Sequence, residues 1–491
     1  MNNLHQILLQ PTDVLFFRDG RPMSGSLAGH TAAWPLPDVT NHALHAALHR
    51  AGLEQETGVK LHRHAPGRSS DKRDHSDENR AKHGRLFGSL LTAGPFPVRE
   101  KGGKATWFFP RPKDAQLNGS VAVTLCPVIS LPGVEQPWQT SSLATPPKYA
   151  VANSRPPAKD AGGESWISTD AFNSFLRGSD DLKPDKPGDH FLRDTDIADT
   201  EYAIGIGIDP ETQTQDKTNF YSAHYLRLRE EFRLGLFAEA MDKEFKQHNS
   251  DLLQTLLNGQ PQNIIVGGQQ RLCTAHRRNA PQPLPLPKGL HAAVDFKPLP
   301  NGKFPVKWAL LTPALWPEIP PAKKDGSPQN PHPGGWLPNW VFVNWDSEKR
   351  EARFDERGGQ VLLTTGSGLR KAKRKGGAPG STIPARLVAA IVPKPIIVTG
   401  WSLAESKSEN QKSEIPSGAK STHLAVSAGA VYYFEAEPDK DGGPAHALAL
   451  ANALNWHGSG DGSKIQNRRS TLLGEKGYGL GVCGTWRFYG E

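Results

Sequence analysis

Apolar residues recur along this chain in short blocks, and the spacing inside each block predicts an element. Residues 5–10 form a brief apolar run that predicts a strand. Within 39–52, Ala43, Leu44, Ala47, Leu48 and Ala51 recur at helical spacing, which predicts a helix with Thr40 as N-cap and Gly52 as its stop. Residues 86–98 return to apolar character, and 106–114 read as a strand whose prolines predict a sheet edge or an exit. Strict alternation over 201–209, a turn-rich tip at 210–219 and a returning run at 220–232 predict a projecting β-hairpin. Residues 234–257 carry Leu236, Phe237, Met241, Phe245, Leu252, Leu253 and Leu256 at helical spacing, which predicts a helix whose stripe packs in a core.

The second half repeats the mixture. Residues 264–272 form a short strand running into Gly267-Gly268, and the alternating prolines of 281–287 mark the best candidate for a linker. Asn301-Gly302 is a hairpin signal between two strands. Two strand segments flank Pro393 within 386–399, a strand pair flanks Gly429 within 424–437, and 445–454 predict a short alanine-leucine helix. A glycine-rich loop at 474–486 leads into a last strand near 482–489. Helices and strands mix in both halves, so the predicted class is α+β in two units, 1–285 and 286–491. The first begins as a β-α-β unit of the ferredoxin-like kind. No fixed-period internal repeat is visible.

Composition adds long loops to that picture. The 491 residues include 49 Gly and 42 Pro with only 36% hydrophobic residues, so the cores are diluted by insertions. These fall near 54–85, 148–195, 317–338, 370–384 and 403–423. The first scatters His62, His64, His75 and His83 without metal-ligand spacing and reads as a solvated loop. Trp166 and Phe172 stand out as local anchors in the second. Three widely spaced cysteines, Cys126, Cys273 and Cys483, argue against a disulfide framework and against a cysteine-rich zinc site. No signal-peptide pattern or membrane-length apolar run is present, which predicts a soluble protein of a reducing cytoplasm. A net charge of +8 favours a polyanionic partner.

Candidate chemistry concentrates in glycine-rich loops. Residues 479–484, GLGVCG, fit the dinucleotide pattern G-x-G-x-x-G, but only seven residues follow Gly484, too few for the helix and strand that motif requires. A kinase-type glycine loop fails for the same reason. What remains is a loop whose backbone N–H groups can cradle an anion. Gly267-Gly268, followed by Arg271, His276, Arg277 and Arg278, is either a second such loop or a β-bulge ahead of a solvated basic turn. Arg18 and Arg21 flank the Asp19-Gly20 turn, and 370–375 form a basic run. Residues 417–422, SGAKST, lack the first glycine and the GK pair of a nucleotide-binding P-loop. No cofactor or metal is predicted.

Several blocks in a fixed order carry a family resemblance: DVLFFRDGRPM, GPFPV with FFPRPKD, EYAIGIGID with FY, IIVGGQQR, WALLTPALW, VAAIVPKPIIVTGW, AVSAGAVYYFE and EKGYGLGVCGTW. The chain resembles the third subunits of the Cmr effector complex, RAMP-superfamily proteins of type III-B CRISPR systems. The likeness lapses in the insertions, and Gln269 and Gln270 stand where the family is expected to prefer an acidic residue. It implies two RRM-like (ferredoxin-like) folds with a projecting β-hairpin. It also implies a non-catalytic subunit that holds the 5′ tag of the CRISPR RNA and bridges the large polymerase-like subunit to the backbone RAMP subunits.

For such a protein the expected RNA contacts are Arg18, Arg21, Gly267, Gly268, Arg271, Arg468, Arg469, Lys476, Gly477, Tyr478 and Gly479. Loop amides and cations would meet phosphates, with Tyr478 stacking on a base. Tyr478 also reads as a core or interface aromatic, and Arg468-Arg469 as a helix-end or surface pair. The rival is a repeat-cleaving endoribonuclease of the same superfamily, with His42 or His45 as general acid or base.

Overall fold

The computed structural model describes residues 4–17, 27–29, 34–51, 90–118, 121–129, 143–145, 147–152, 163–178, 190–208, 211–240, 251–322, 326–365, 381–402, 418–419 and 421–490. Its architecture is mixed α/β and rich in strands. The first half contributes β1 (His5–Pro11), β2 (Leu27–Gly29), α1 (Pro37–Arg50), β3 (Leu91–Lys101), β4 (Lys104–Pro110), β5 (Glu164–Ser168), α2 (Thr169–Leu176) and β6 (Phe191–Arg193). It continues with β7 (Ala198–Ile208), β8 (Gln215–Leu228), β9 (Phe232–Glu239), α3 (Leu252–Leu256), β10 (Gln262–Ile265) and β11 (Leu272–Asn279). The second half adds β12 (Phe304–Leu310), β13 (Ala385–Ile391), β14 (Val431–Ala436), α4 (Ala445–Leu454) and β15 (Gly481–Gly484).

Two antiparallel sheets organise most of these elements, while β7, β8 and β2 form a separate three-stranded sheet. The larger runs β6-β5-β4-β3-β9-β1-β11-β10, and the smaller runs β13-β14-β12-β15. Side-chain alternation turns both into layers. Ile7 and Leu9 of β1 and Leu234 and Leu236 of β9 pack with Leu44 and Leu48 of α1 and Leu253 of α3. Leu8 and Phe237 point the other way, into a cluster shared with Ala309, Val431, Tyr433 and Val482 of the smaller sheet. Trp308, Tyr432 and Phe434 then face Leu450 and Leu454 of α4. The order is therefore helix, sheet, sheet, helix. Period-two strands with apolar residues on both faces are what a strand enclosed between two layers requires. Buried Lys307 of β12 donates to Asp114 of the first half at 2.9 Å, adding an ion pair between the halves.

Several expectations need correction. Phe232–Glu239 is a strand rather than the start of a helix. Its two buried faces give a continuous apolar run that helical spacing also fits, so pattern alone cannot separate the two. Only Leu252–Leu256, capped by the Asp251 carboxylate on the Gln254 N–H at 2.9 Å, is helical; 241–250 lie outside the described residues. Helix α1 begins at Pro37, where the missing N–H costs nothing, and Thr40 lies inside it. Of the two alternatives for the prolines of 106–114, the exit holds: β4 ends at Pro110 and, like the proline-bearing β3, lies in the sheet interior rather than at an edge. The register to β9 shifts opposite Gly94-Pro95, a bulge that accommodates the missing donor.

The proline-rich stretch 281–287 is no free linker, since Leu284 and Leu286 are buried between the sheets and Trp456 Nε1 donates to the Pro287 carbonyl at 2.7 Å. The supposed insertion at 148–195 supplies β5, β6 and α2, with Trp166 and Phe172 buried. Asn301-Gly302 does turn the chain, but it leads into β12 without a preceding strand. The last strand ends at Gly484 rather than near Tyr489. The insertion at 54–85, with its four histidines, and the basic run 370–375 lie outside the described residues.

Candidate nucleic-acid interface

The structure divides the sequence-derived site residues between two places. The first is a half-buried platform at the root of the hairpin. Leu15 and Leu226 of β8 exchange backbone hydrogen bonds of 2.8 Å, which fixes the chain after β1 against the hairpin. The turn between β10 and β11 closes over the same point. The Gly268 N–H donates to the Phe16 carbonyl at 2.9 Å, and a Cβ on Gly267 (φ +80°) would stand 2.5 Å from that oxygen. Here glycine permits contact between two backbones, so the Gly268 amide is already engaged by protein.

Beside this contact lies an aromatic and cationic surface. Phe16 and Tyr225 rings are 5.7 Å apart, and the Arg271 guanidinium lies 4.9 Å from the Tyr225 centroid. The Tyr225 hydroxyl donates to Gln269 Oε1 at 2.8 Å, and Arg271 approaches the same oxygen at 3.4 Å. Asp13 holds Arg227 at 2.9 Å and Arg271 at 3.8 Å, and these hydrogen bonds and charges, with Arg227 foremost, keep its carboxyl below the usual range. Gln269 and Gln270 both adopt positive φ, +54° and +52°, the type I′ arrangement that glycine or asparagine normally fills. For non-glycine residues this conformation costs roughly 1–2 kcal/mol each.

Arg18 and Arg21 lie outside the described residues. The described chain stops at Phe17 and resumes at β2, which pairs in parallel with Tyr221–Ala223 of the hairpin. His276, Arg277 and Arg278 belong to β11 rather than to the turn. Arg277 donates to the Leu257 carbonyl at 3.1 Å, and Arg278 pairs with Glu100 at 3.3 Å. Sequence reasoning missed Phe16, Tyr225 and Asp13. The paired aromatics of DVLFF and the alternation of β8 were the available signals.

The second place is a seam between the halves, and it takes up the C-terminal glycine loop. Tyr478 has 0% exposure and donates to Asp38 of α1 at 2.7 Å; burial first, then Asp38, drives its hydroxyl pKa well up. Gly477 and Gly479 are left-handed, and an added Cβ would lie 3.0 Å from the Thr92 carbonyl and 2.0 Å from Ser470 N. Lys476 Nζ meets His42 Nε2 of α1 at 2.6 Å, and its carbonyl accepts from Thr92 Oγ1.

Arg469 is buried and donates through Nε to the Ala453 carbonyl at 2.5 Å, satisfying the end of α4, while Nη2 reaches Asn467 at 2.9 Å. Burial lowers the guanidinium pKa of both Arg468 and Arg469 to about 10, so both remain charged at neutral pH. Tyr478 and Arg469 thus have no surface to offer a ligand in this conformation. Half-buried Arg468 and Lys476 remain at its margin. His45 is half-buried on α1. No group of three or more metal-ligating side chains occurs among the described residues.

These features define a class: a strand-rich α/β protein built on two packed antiparallel sheets, with an aromatic and arginine platform beside a hairpin that belongs to a further sheet. The family model described as CRISPR-associated protein (Cas_Cmr3) matches residues 7–486. The chain belongs to that family, and so to the subunits of type III CRISPR effectors. Solved structures give fainter likenesses. Chains from two cryo-EM structures of the type III-B Cmr-beta complex with cognate target RNA, the first also with AMPPnP (state 1), are 13% and 12% identical. Each match covers 87% of this chain and 86% of that one, with TM-scores of 0.36 and 0.35. A chain from the crystal structure of the Csm3-Csm4 subcomplex of the type III-A interference complex is 10% identical, over 87% and 92%, with a TM-score of 0.26. No curated protein matches the sequence.

Proposed function

We propose that this chain is the RNA-holding, non-catalytic third subunit of a type III-B effector complex. In that role it grips the 5′ tag of the CRISPR RNA and bridges the large polymerase-like subunit to the backbone subunits, in the cytoplasm. Family membership supports the assembly, and one observation carries the RNA contact. Two aromatic rings, Phe16 and Tyr225, and the Arg271 guanidinium gather on one platform, and Phe16 lies two and five positions before Arg18 and Arg21 in the sequence. Unpaired bases stack on aromatic rings and guanidinium planes, and loop cations add sequence-tolerant phosphate affinity.

Two RRM-like units, 1–285 and 286–491, agree with the strand orders. Counting strands in chain order, β11-β1-β9-β3 and β15-β12-β14-β13 both read 4-1-3-2. Helices α1 and α3 occupy the two crossover positions in the first, and α4 occupies the second crossover in the other. That is the ferredoxin-like arrangement.

Purification of the tagged chain from its own cell tests the role. Recovery of a large polymerase-like subunit and a small RNA with one uniform 5′ end is expected, whereas a free monomer without RNA argues against it. The rival nuclease reading rests on His42, whose Nε2 lies 2.6 Å from Lys476 Nζ, a general base beside a cation. Metal-independent cleavage of repeat RNA, lost in His42→Ala, would favour that reading instead.

A further inference from the structure

Two adjacent glutamines in left-handed backbone form the exposed tip of the turn that closes the platform. Glycine would relieve that conformation, so the chain keeps glutamine at a cost. The surroundings give the side chain a defined orientation. Arg271 only donates, so the amide atom facing it at 3.4 Å is the oxygen, which also accepts from the Tyr225 hydroxyl at 2.8 Å. Gln269 Nε2 is thereby turned away from that oxygen, and among the described residues it makes no hydrogen bond. An amide donor is thus held at the margin of a stacking surface. The charges beneath nearly cancel, with Arg227 and Arg271 against Asp13 and Glu201. Such a surface suits a base better than a phosphate.

From this geometry we propose that Gln269 is a base-reading residue. An unpaired nucleobase stacks on the platform of Tyr225, Arg271 and Phe16 and accepts a hydrogen bond from Gln269 Nε2. The proposal rests on the RNA-holding role above and adds specificity to it. A lone donor favours keto bases, because uracil O4 and guanine O6 accept at the position where cytosine and adenine present an amine. Tyr225 and Arg271 position the amide, and Gln270 completes the turn.

The test uses the full chain with fluorescent single-stranded U8 and C8 RNA in low salt, read by anisotropy up to high protein concentration. Wild type should bind U8 roughly three- to tenfold more tightly than C8, the worth of one hydrogen bond per contacted base. Gln269→Glu exchanges the donor for an acceptor and should reverse that order. Gln269→Gly should bind the two RNAs alike while melting no lower than wild type, because glycine tolerates the positive φ. Equal binding of U8 and C8 by wild type, or an unchanged preference in Gln269→Gly, overturns base reading and leaves RNA holding intact. Failure to bind either RNA at any concentration overturns both.

Discussion

The turn at 267–271 and the loop at 474–484 both set glycines beside basic and aromatic residues, yet they spend those residues differently. At 267–271 the glycines bring two backbones together, and the neighbouring Gln269, Gln270, Arg271 and Tyr225 remain at the surface. At 474–484 the glycines admit Thr92, Ser470 and Trp308 so closely that Tyr478 and Arg469 are sealed inside. Glycine content marks close approach in both. What approaches, backbone under a platform or one half of the molecule against the other, decides whether the adjacent side chains can meet a ligand.

The largest expected contrast comes from Gly479→Ala. Its Cβ would stand 2.0 Å from Ser470 N at a φ of +78°, so overpacking and left-handed strain should together cost roughly 2–5 kcal/mol. Denaturant unfolding reads this directly, and a loss under 1 kcal/mol would mean the seam is looser than described. Tyr225→Ala should do the reverse, leaving the melting temperature near wild type while weakening single-stranded RNA binding by roughly 1–3 kcal/mol. Unchanged RNA binding with lowered stability would make the platform a packing feature.

Tyr478→Phe sharpens the same line. It removes a buried hydrogen bond to Asp38 and should cost about 1–2 kcal/mol of stability with RNA affinity unaltered. Reduced RNA retention at unchanged stability would return Tyr478 to the RNA-contacting surface.

The smallest effect belongs to Asp13→Asn, which frees Arg227 and Arg271 from a carboxylate and should slightly raise RNA affinity at low salt. Because the folded-state pKa of Asp13 is lowered, its contribution to stability is present above the unfolded value of 3.8 and lost as pH falls through the folded one. A titration in acid should therefore show wild-type RNA affinity rising toward that of the variant. An affinity difference that persists when Asp13 is protonated would assign the effect to something other than its charge.

Much of the fold was legible in the chain. The hairpin at 201–232 alternates so cleanly that both strands follow from pattern, although the returning strand already begins at Gln215 inside the predicted tip, and helix α1 announced itself through Ala43, Leu44, Ala47 and Leu48. Strand β9 did not, because a strand buried on both faces loses its alternation and borrows helical spacing by chance. The prolines at the end of β4 marked its exit as expected, whereas those of β3 sit in the sheet interior, beside a bulge. Of the site, Arg271 with Gly267-Gly268 could be proposed from local chemistry. Phe16 and Tyr225 could not be joined to them, because their meeting depends on the hairpin root crossing the chain after β1.

The sequence by itself determined the α+β class, the hairpin, the excess of positive charge and, through the order of its blocks, the Cas_Cmr3 family. These follow from local periodicity and from residues that recur in order along the chain. Only the tertiary structure decided which glycine loop is a surface and which is a seam. Exposure is a property of what packs on a residue, and the partners of buried Tyr478 and half-buried Lys476, Asp38 and His42 of α1, lie 440 and 434 positions away in the chain.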